Sequence, residues 1–215
     1  MFTDPQAEKY SIAHTTEEST VLKKLNRETH AKILKARMLS GHMQGKLLEM
    51  ISCMLQPSVV LEIGTYTGYS AICLSKGLAK GGTIHTIDHN EELEDFSRSF
   101  FRDAGIEDSI EYHIGEALEV LPSINGPFDL VFLDADKENY IAYYDEVIDK
   151  VRRGGVILAD NVLWSGKVFS EEAAGNDPEA HALIQFNGYV HNDPRVENLM
   201  LPFRDGLSII RKIVD

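Results

Sequence analysis

The chain has 215 residues, 43% hydrophobic and 26% charged, with 34 Asp and Glu against 21 Lys and Arg for a formal charge of −13. That is the length of one domain with a small extension and the composition of a globular protein, which excludes disordered, collagen-like and fibrous classes. The acidic balance works against non-specific binding to phosphate backbones and anionic lipid. Two cysteines, Cys53 and Cys73, exclude a disulfide framework and a Cys-rich zinc module.

Residues 1–56 are predicted helical. Between Thr16 and Met38 the apolar positions are scattered: Val21, Leu22, Leu25, Ile33 and Leu34. From Gly45 the pattern sharpens, and Leu47, Leu48, Ile51, Met54 and Leu55 share one helix face until Pro57 stops it. Then short apolar runs alternate with amphipathic segments. The runs are VVLEI (59–63), TIHTI (83–87), IEYHI (110–114), FDLVFL (128–133) and GVILA (155–159), and helical stretches lie near 69–80, 91–104, 115–121 and 138–150. This β-α repetition predicts an α/β fold, a parallel sheet buried on both faces between helices. After Asp160 come a polar loop (164–177), a helix (178–192) and two strands near 196–201 and 206–213 around Arg204-Asp205-Gly206. These read as an antiparallel edge on the parallel sheet. We expect a single domain over 1–215, with 1–56 as an N-terminal helical extension packed on it. No apolar run approaches 18 residues, and the segment MFTDPQAEKYS lacks a signal-peptide core, so the expectation is a cytoplasmic protein, away from membranes, with both thiols reduced and buried.

In open α/β sheets, ligands bind beyond the carboxyl ends of the strands. Here those ends read EIGTYTGYS (62–70), Asp88, GEAL (115–118), DADK (134–137) and Asp160-Asn161. One acidic residue at such a place is most simply a helix cap; several at one sheet edge suggest a site. In the first turn Gly64 and Gly68 are four apart, with no third glycine of a dinucleotide fingerprint and no phosphate-binding loop. Asp88 lies 24 residues beyond Gly64, where an acidic residue holds ribose hydroxyls in nucleotide-binding folds. An adenosine cofactor without a pyrophosphate fits, and S-adenosylmethionine is one. Glu62 lies within a buried strand, a costly place for a carboxylate unless it is bound or hydrogen-bonded. Asp134, Asp160 and Asn161 form an oxygen-only set suited to Mg²⁺, Mn²⁺ or Ca²⁺ rather than zinc; the plainer alternative is capping. Lys137 opens a helix, where a cation opposes the helix dipole, which points to a role at the site unless the side chain is simply solvated. Trp164 either walls a substrate pocket or packs in the core. His85 and His89 bracket a strand end and the other six histidines are scattered, so a histidine metal site is not expected.

The strings VVLEIGTYTGYSAICL (59–74), FDLVFLDADKENY (128–140) and GGVILADNVLWSGKV (154–168) resemble the cation-dependent class I O-methyltransferases, the caffeoyl-CoA and catechol O-methyltransferase family with its bacterial members. The resemblance runs from about Met38 to Lys212. It implies a Rossmann-like, doubly wound sheet of seven strands, mostly parallel with an antiparallel C-terminal strand, and a homodimer. By resemblance, Met38, Ser40, Glu62, Gly64, Ser70, Asp88, Ala117 and Asp136 line the S-adenosylmethionine site. Asp134, Asp160 and Asn161 match the metal ligands, and Lys137 matches the lysine proposed as general base in catechol methylation. Trp164 and Ser165 lie where the family meets its acceptor. The plant enzymes carry Asn at the position of Ser165, Thr at that of Ser40, and a different sequence at FSEEAAGN, which speaks against caffeoyl-CoA itself. The expected acceptor is therefore a small catechol-type diol. A tRNA wobble 5-hydroxyuridine is the alternative, which the −13 charge opposes, and a non-catalytic cofactor-binding module on the same fold comes third.

Overall fold

The computed structural model describes residues 4–214. Residues 1–3 of the expected helical extension, and Asp215, lie outside the described residues. The chain divides into two compact units, one over Gln6–Glu116 and one from Ala117 onward.

The first unit begins with helices. α1 (Pro5–Ala13) buries no residue, whereas α2 (Thr20–Lys32) buries Leu22, Leu25 and Thr29 and is capped by Ser19, whose hydroxyl accepts from the Leu22 amide at 3.3 Å. α3 (Gly41–Leu55) ends on Gln56 in a left-handed conformation, just before Pro57. Its buried stripe is Gln44, Gly45, Leu48, Ile51 and Ser52, rotated from the predicted one, and Met54 is exposed. The cause is close packing on α4 (Tyr69–Leu74). A Cβ at Gly45 would lie 2.6 Å from the Tyr69 ring, and the Ser52 hydroxyl donates to the Leu74 carbonyl at 2.5 Å, so small and polar residues face inward. The same rotation leaves Cys53 exposed. Of the two thiols expected to be buried, only Cys73 is.

Three strands follow, β1 (Val59–Ile63), β2 (Thr83–Asp88) and β3 (Ile110–Ile114), with α5 (Glu94–Ala104) between the last two. β2 pairs in parallel with β1 (Ile63 beside Ile87) and with β3 (Asp88 beside Ile114). β1 is almost wholly buried, but β3 buries only Ile110. The expectation of strands covered on both faces fails at β3 because it is an edge strand.

The second unit runs through α6 (Ala117–Val120), β4 (Phe128–Leu133), α7 (Tyr140–Ile148), β5 (Val151–Asp160), α8 (Glu171–Ala174), α9 (Pro178–His191), β6 (Val196–Leu201) and β7 (Leu207–Lys212). β4 and β5 are parallel, with Leu133 beside Ala159, and β7 is antiparallel to both β5 and β6. The predicted polar loop after Asp160 holds a 3-10 turn (Trp164–Phe169), bent where Ser165 and Gly166 take positive φ, and then α8. Asp177 caps α9 by accepting from the Ala180 amide, and Pro178 occupies the first helical position, where a missing N–H costs nothing. The seven strands have the order β3-β2-β1-β4-β5-β7-β6, the expected mostly parallel sheet with an antiparallel C-terminal strand. No described helix is long and apolar enough to cross a membrane.

Candidate active site

In the first unit the loop after β1 folds back on β2. The amides of Gly64 and Thr65 both donate to the Ile87 carbonyl, at 2.9 and 3.2 Å. Positive φ at Gly64, Tyr66 and Gly68 makes the turn, and a Cβ on Gly68 would meet the Phe101 ring at 2.5 Å. Asp88 closes this loop from the end of β2. One carboxylate oxygen accepts from the Tyr66 amide at 2.7 Å and the other from the Asn90 amide at 2.9 Å. An ionised carboxylate accepts about four hydrogen bonds, so acceptor capacity remains for two ligand hydroxyls.

Glu62 is fully buried, and its carboxylate accepts from the Thr86 hydroxyl at 2.5 Å. Thr86 in turn lies 2.5 Å from the Thr65 hydroxyl, so the buried carboxylate sits at the end of a short polar chain. Ser70 is buried in the first turn of α4, Ser40 is buried just before α3, and Met38 is 54% exposed in a 3-10 turn. The hydroxyl of Tyr112 on β3, which the sequence reading passed over, is buried close to the Thr65 and Ser97 hydroxyls.

In the second unit the register of β4 and β5 sets Asp134 beside Asp160, one step past Leu133 and Ala159. Asp160 is 4% exposed and accepts from the Asn161 amide at 2.8 Å, while Asn161 takes a left-handed conformation. Lys137 is also 4% exposed, which rules out the solvated reading. Its ammonium donates to Asp134 at 3.1 Å and to the Tyr140 hydroxyl at 2.7 Å.

Tyr140 is the hub that the sequence reading missed. Its hydroxyl lies 3.0 Å from the carbonyls of both Leu133 and Asp160 and so ties the ends of β4 and β5 together. Burial, reinforced by Asp134 and Asp160, pushes that hydroxyl well above its ordinary pKa, so it stays a donor. The available signal was its position three residues beyond Lys137, one helical turn on.

Ala117 is buried at the start of α6. Asp136 is exposed and accepts from the Tyr143 hydroxyl and from Asn139, the latter at 2.5 Å. Trp164 is held by its N–H, which donates to Asp177 at 3.1 Å, and Lys167 reaches the same carboxylate at 2.5 Å. Lys167, the Ala180 amide and Trp164 together hold the Asp177 carboxyl down at about 2. Ser165 is exposed, and its amide donates to Asp205.

The histidines that the sequence leaves scattered are partly brought together by the fold. His89 is exposed, but His85 meets a partner 28 residues away: its Nδ1 lies 3.2 Å from Nε2 of His113, with Glu111 beside them. Sequence spacing hid this group because parallel-strand register assembles it.

A family profile described as O-methyltransferase matches residues 12–213. Caffeoyl-CoA O-methyltransferase 1 of Arabidopsis thaliana is 36% identical over 180 residues, covering 79% of this chain and 70% of that protein. Among solved structures, an O-methyltransferase from Bacillus cereus in complex with SAH aligns with a TM-score of 0.89 at 30% identity, over 96% of this chain and 97% of that one. The O-methyltransferase TomG from Streptomyces achromogenes, involved in tomaymycin synthesis and bound to SAM, aligns with a TM-score of 0.89 at 26% identity, over 97% of this chain and 96% of that one.

Proposed function

The chain belongs to the O-methyltransferase family, and from that premise we propose that it transfers the methyl group of S-adenosylmethionine to one hydroxyl of a small catechol-type diol held at a divalent cation. The observation that carries the acceptor half is the buried pair Lys137 and Tyr140, joined to the half-buried Asp134 next to Asp160. A buried lysine in a structural role needs only a carboxylate; this one is set among an oxygen-donor group at a sheet edge.

Asp134, Asp160 and Asn161 offer two carboxylates and an amide oxygen, the donor chemistry of a hard cation, and these residues would hold it. A cation bound there lowers the pKa of a coordinated hydroxyl and fixes its direction. Asp88 suits the ribose hydroxyls, since both its oxygens are oriented by backbone amides and keep acceptor capacity. S-adenosylmethionine supplies a methyl group on a sulfonium with a neutral thioether as leaving group.

Lys137 acts as the proton acceptor. Beyond Cε its nitrogen has three tetrahedral positions, and two are spent as donors to Asp134 and Tyr140. Loss of the ammonium's third proton to solvent would leave a lone pair at the third position, and that neutral amine would take the acceptor's proton. The acceptor oxygen then forms its bond to the methyl carbon as the carbon–sulfur bond breaks. What the chain contributes is orientation and fixed charge.

The test is a separation of binding from turnover. Asp134→Ala and Asp160→Ala are expected to abolish methyl transfer while leaving S-adenosylmethionine affinity at the parent level in calorimetry. Full activity in either variant, insensitive to a chelator, would overturn the cation-held acceptor.

A further inference from the structure

We propose that His85, Glu111 and His113 form a second cation site, at the β2–β3 edge of the sheet, for a borderline divalent ion such as Zn²⁺. The site is independent of the oxygen donors at Asp134 and Asp160. In parallel register His85 stands beside Glu111 and Ile87 beside His113. Lateral neighbours and alternate residues share a face of the sheet, so the three side chains project to the same side. One ligand atom from each lies within 4.8 Å of the others.

The imidazole pair is already close to metal geometry. Nδ1 of His85 and Nε2 of His113 are 3.2 Å apart. In a tetrahedral site with Zn–N bonds of about 2.0–2.1 Å, two ligand nitrogens stand roughly 3.4 Å apart. The rings stack with centroids 5.4 Å apart and planes 27° from parallel, and the two nitrogens share a hydrogen bond that a bound ion would replace. Glu111 is exposed, and one of its carboxylate oxygens already lies within 4.8 Å of a ring nitrogen of each histidine. Half-burial of both rings favours the neutral imidazole, which is the ligating form.

The donor set decides the ion. Two imidazoles and one carboxylate suit zinc and its neighbours, whereas Mg²⁺ and Ca²⁺ prefer oxygen alone. Three protein ligands leave a fourth position for water. Bound there, the ion would bridge β2 to the edge strand β3, whose ladder ends at Asp88 beside Ile114.

The experiment is calorimetric titration of chelator-stripped protein with ZnCl₂, in excess Mg²⁺ to occupy hard oxygen donors, alongside His113→Gln and Glu111→Gln. The expected result is one Zn²⁺ per chain, with affinity lowered roughly tenfold or more in each variant. Zinc should also raise the thermal midpoint of the parent and not that of His113→Gln, because a ligand that binds only the folded state stabilises it. Glu111 is exposed, so its variant keeps the test valid if His113→Gln folds poorly. In the parent, zinc should shift the imidazole NMR signals of His85 and His113 ahead of those of the other histidines. Absence of binding, affinity unchanged in Glu111→Gln, or shifts spread over the exposed histidines would each overturn the site.

Discussion

Replacing Tyr140 by Phe isolates one hydroxyl. The ring stays, and with it the edge contact to Phe186 at 5.2 Å between centroids, so no cavity opens. What is lost is the acceptor for the Lys137 ammonium at 2.7 Å and the donor shared by the Leu133 and Asp160 carbonyls. A hydrogen bond to a charged group contributes about 1.5–3 kcal/mol, and a buried polar group left without its partner costs about 1–3 kcal/mol. These overlap, because the lysine keeps Asp134, and together they predict a loss of about 2–4 kcal/mol. Urea unfolding should show this as a lower midpoint with an unchanged slope. Turnover should fall with S-adenosylmethionine affinity intact, since Lys137 loses the group that fixes its nitrogen. A loss under about 0.5 kcal/mol, the range of an indifferent surface change, with unaltered turnover would refute the hub role of Tyr140.

Gly68→Ala should cost about 1–3 kcal/mol in unfolding free energy, because φ of +82° strains any side chain and the new Cβ would sit 2.5 Å from Phe101. S-adenosylmethionine affinity should fall with it, and wild-type stability in this variant would remove the turn from the argument. The two strand histidines make a pH prediction. Burial disfavours their charged forms and lowers both folded-state pKa values below the ordinary 6.5. Their contribution to stability is therefore complete above 6.5 and declines as pH falls through the lowered values. NMR titration of metal-free protein should give midpoints for His85 and His113 below those of exposed histidines; midpoints at or above 6.5 would contradict it.

The strand pattern was legible because buried strands of a parallel sheet write themselves as short apolar runs. VVLEI, IEYHI and FDLVFL coincide with β1, β3 and β4. The turn after β1 and the acidic strand ends were legible for a related reason: a tight reversal needs glycine, and helix starts favour polar caps, at fixed places. Three things were not legible. The buried face of α3 is set by the close approach of Tyr69 and Cys73 to Gly45, which outweighs its apolar periodicity. Tyr140 looks like core until the register of β4 and β5 brings two carbonyls to its hydroxyl. His113 joins His85 only through strand pairing, which no local spacing encodes.

Methyl transfer to a small diol should be sensitive to a chelator. The direct measurement is transfer of label from S-adenosylmethionine to a panel of catechols and, separately, to hypomodified tRNA, each with Mg²⁺ and with EDTA. The expected result is labelled catechol with Mg²⁺, none with EDTA, and none in tRNA. Label in tRNA alone, or catechol methylation that survives EDTA, would contradict it.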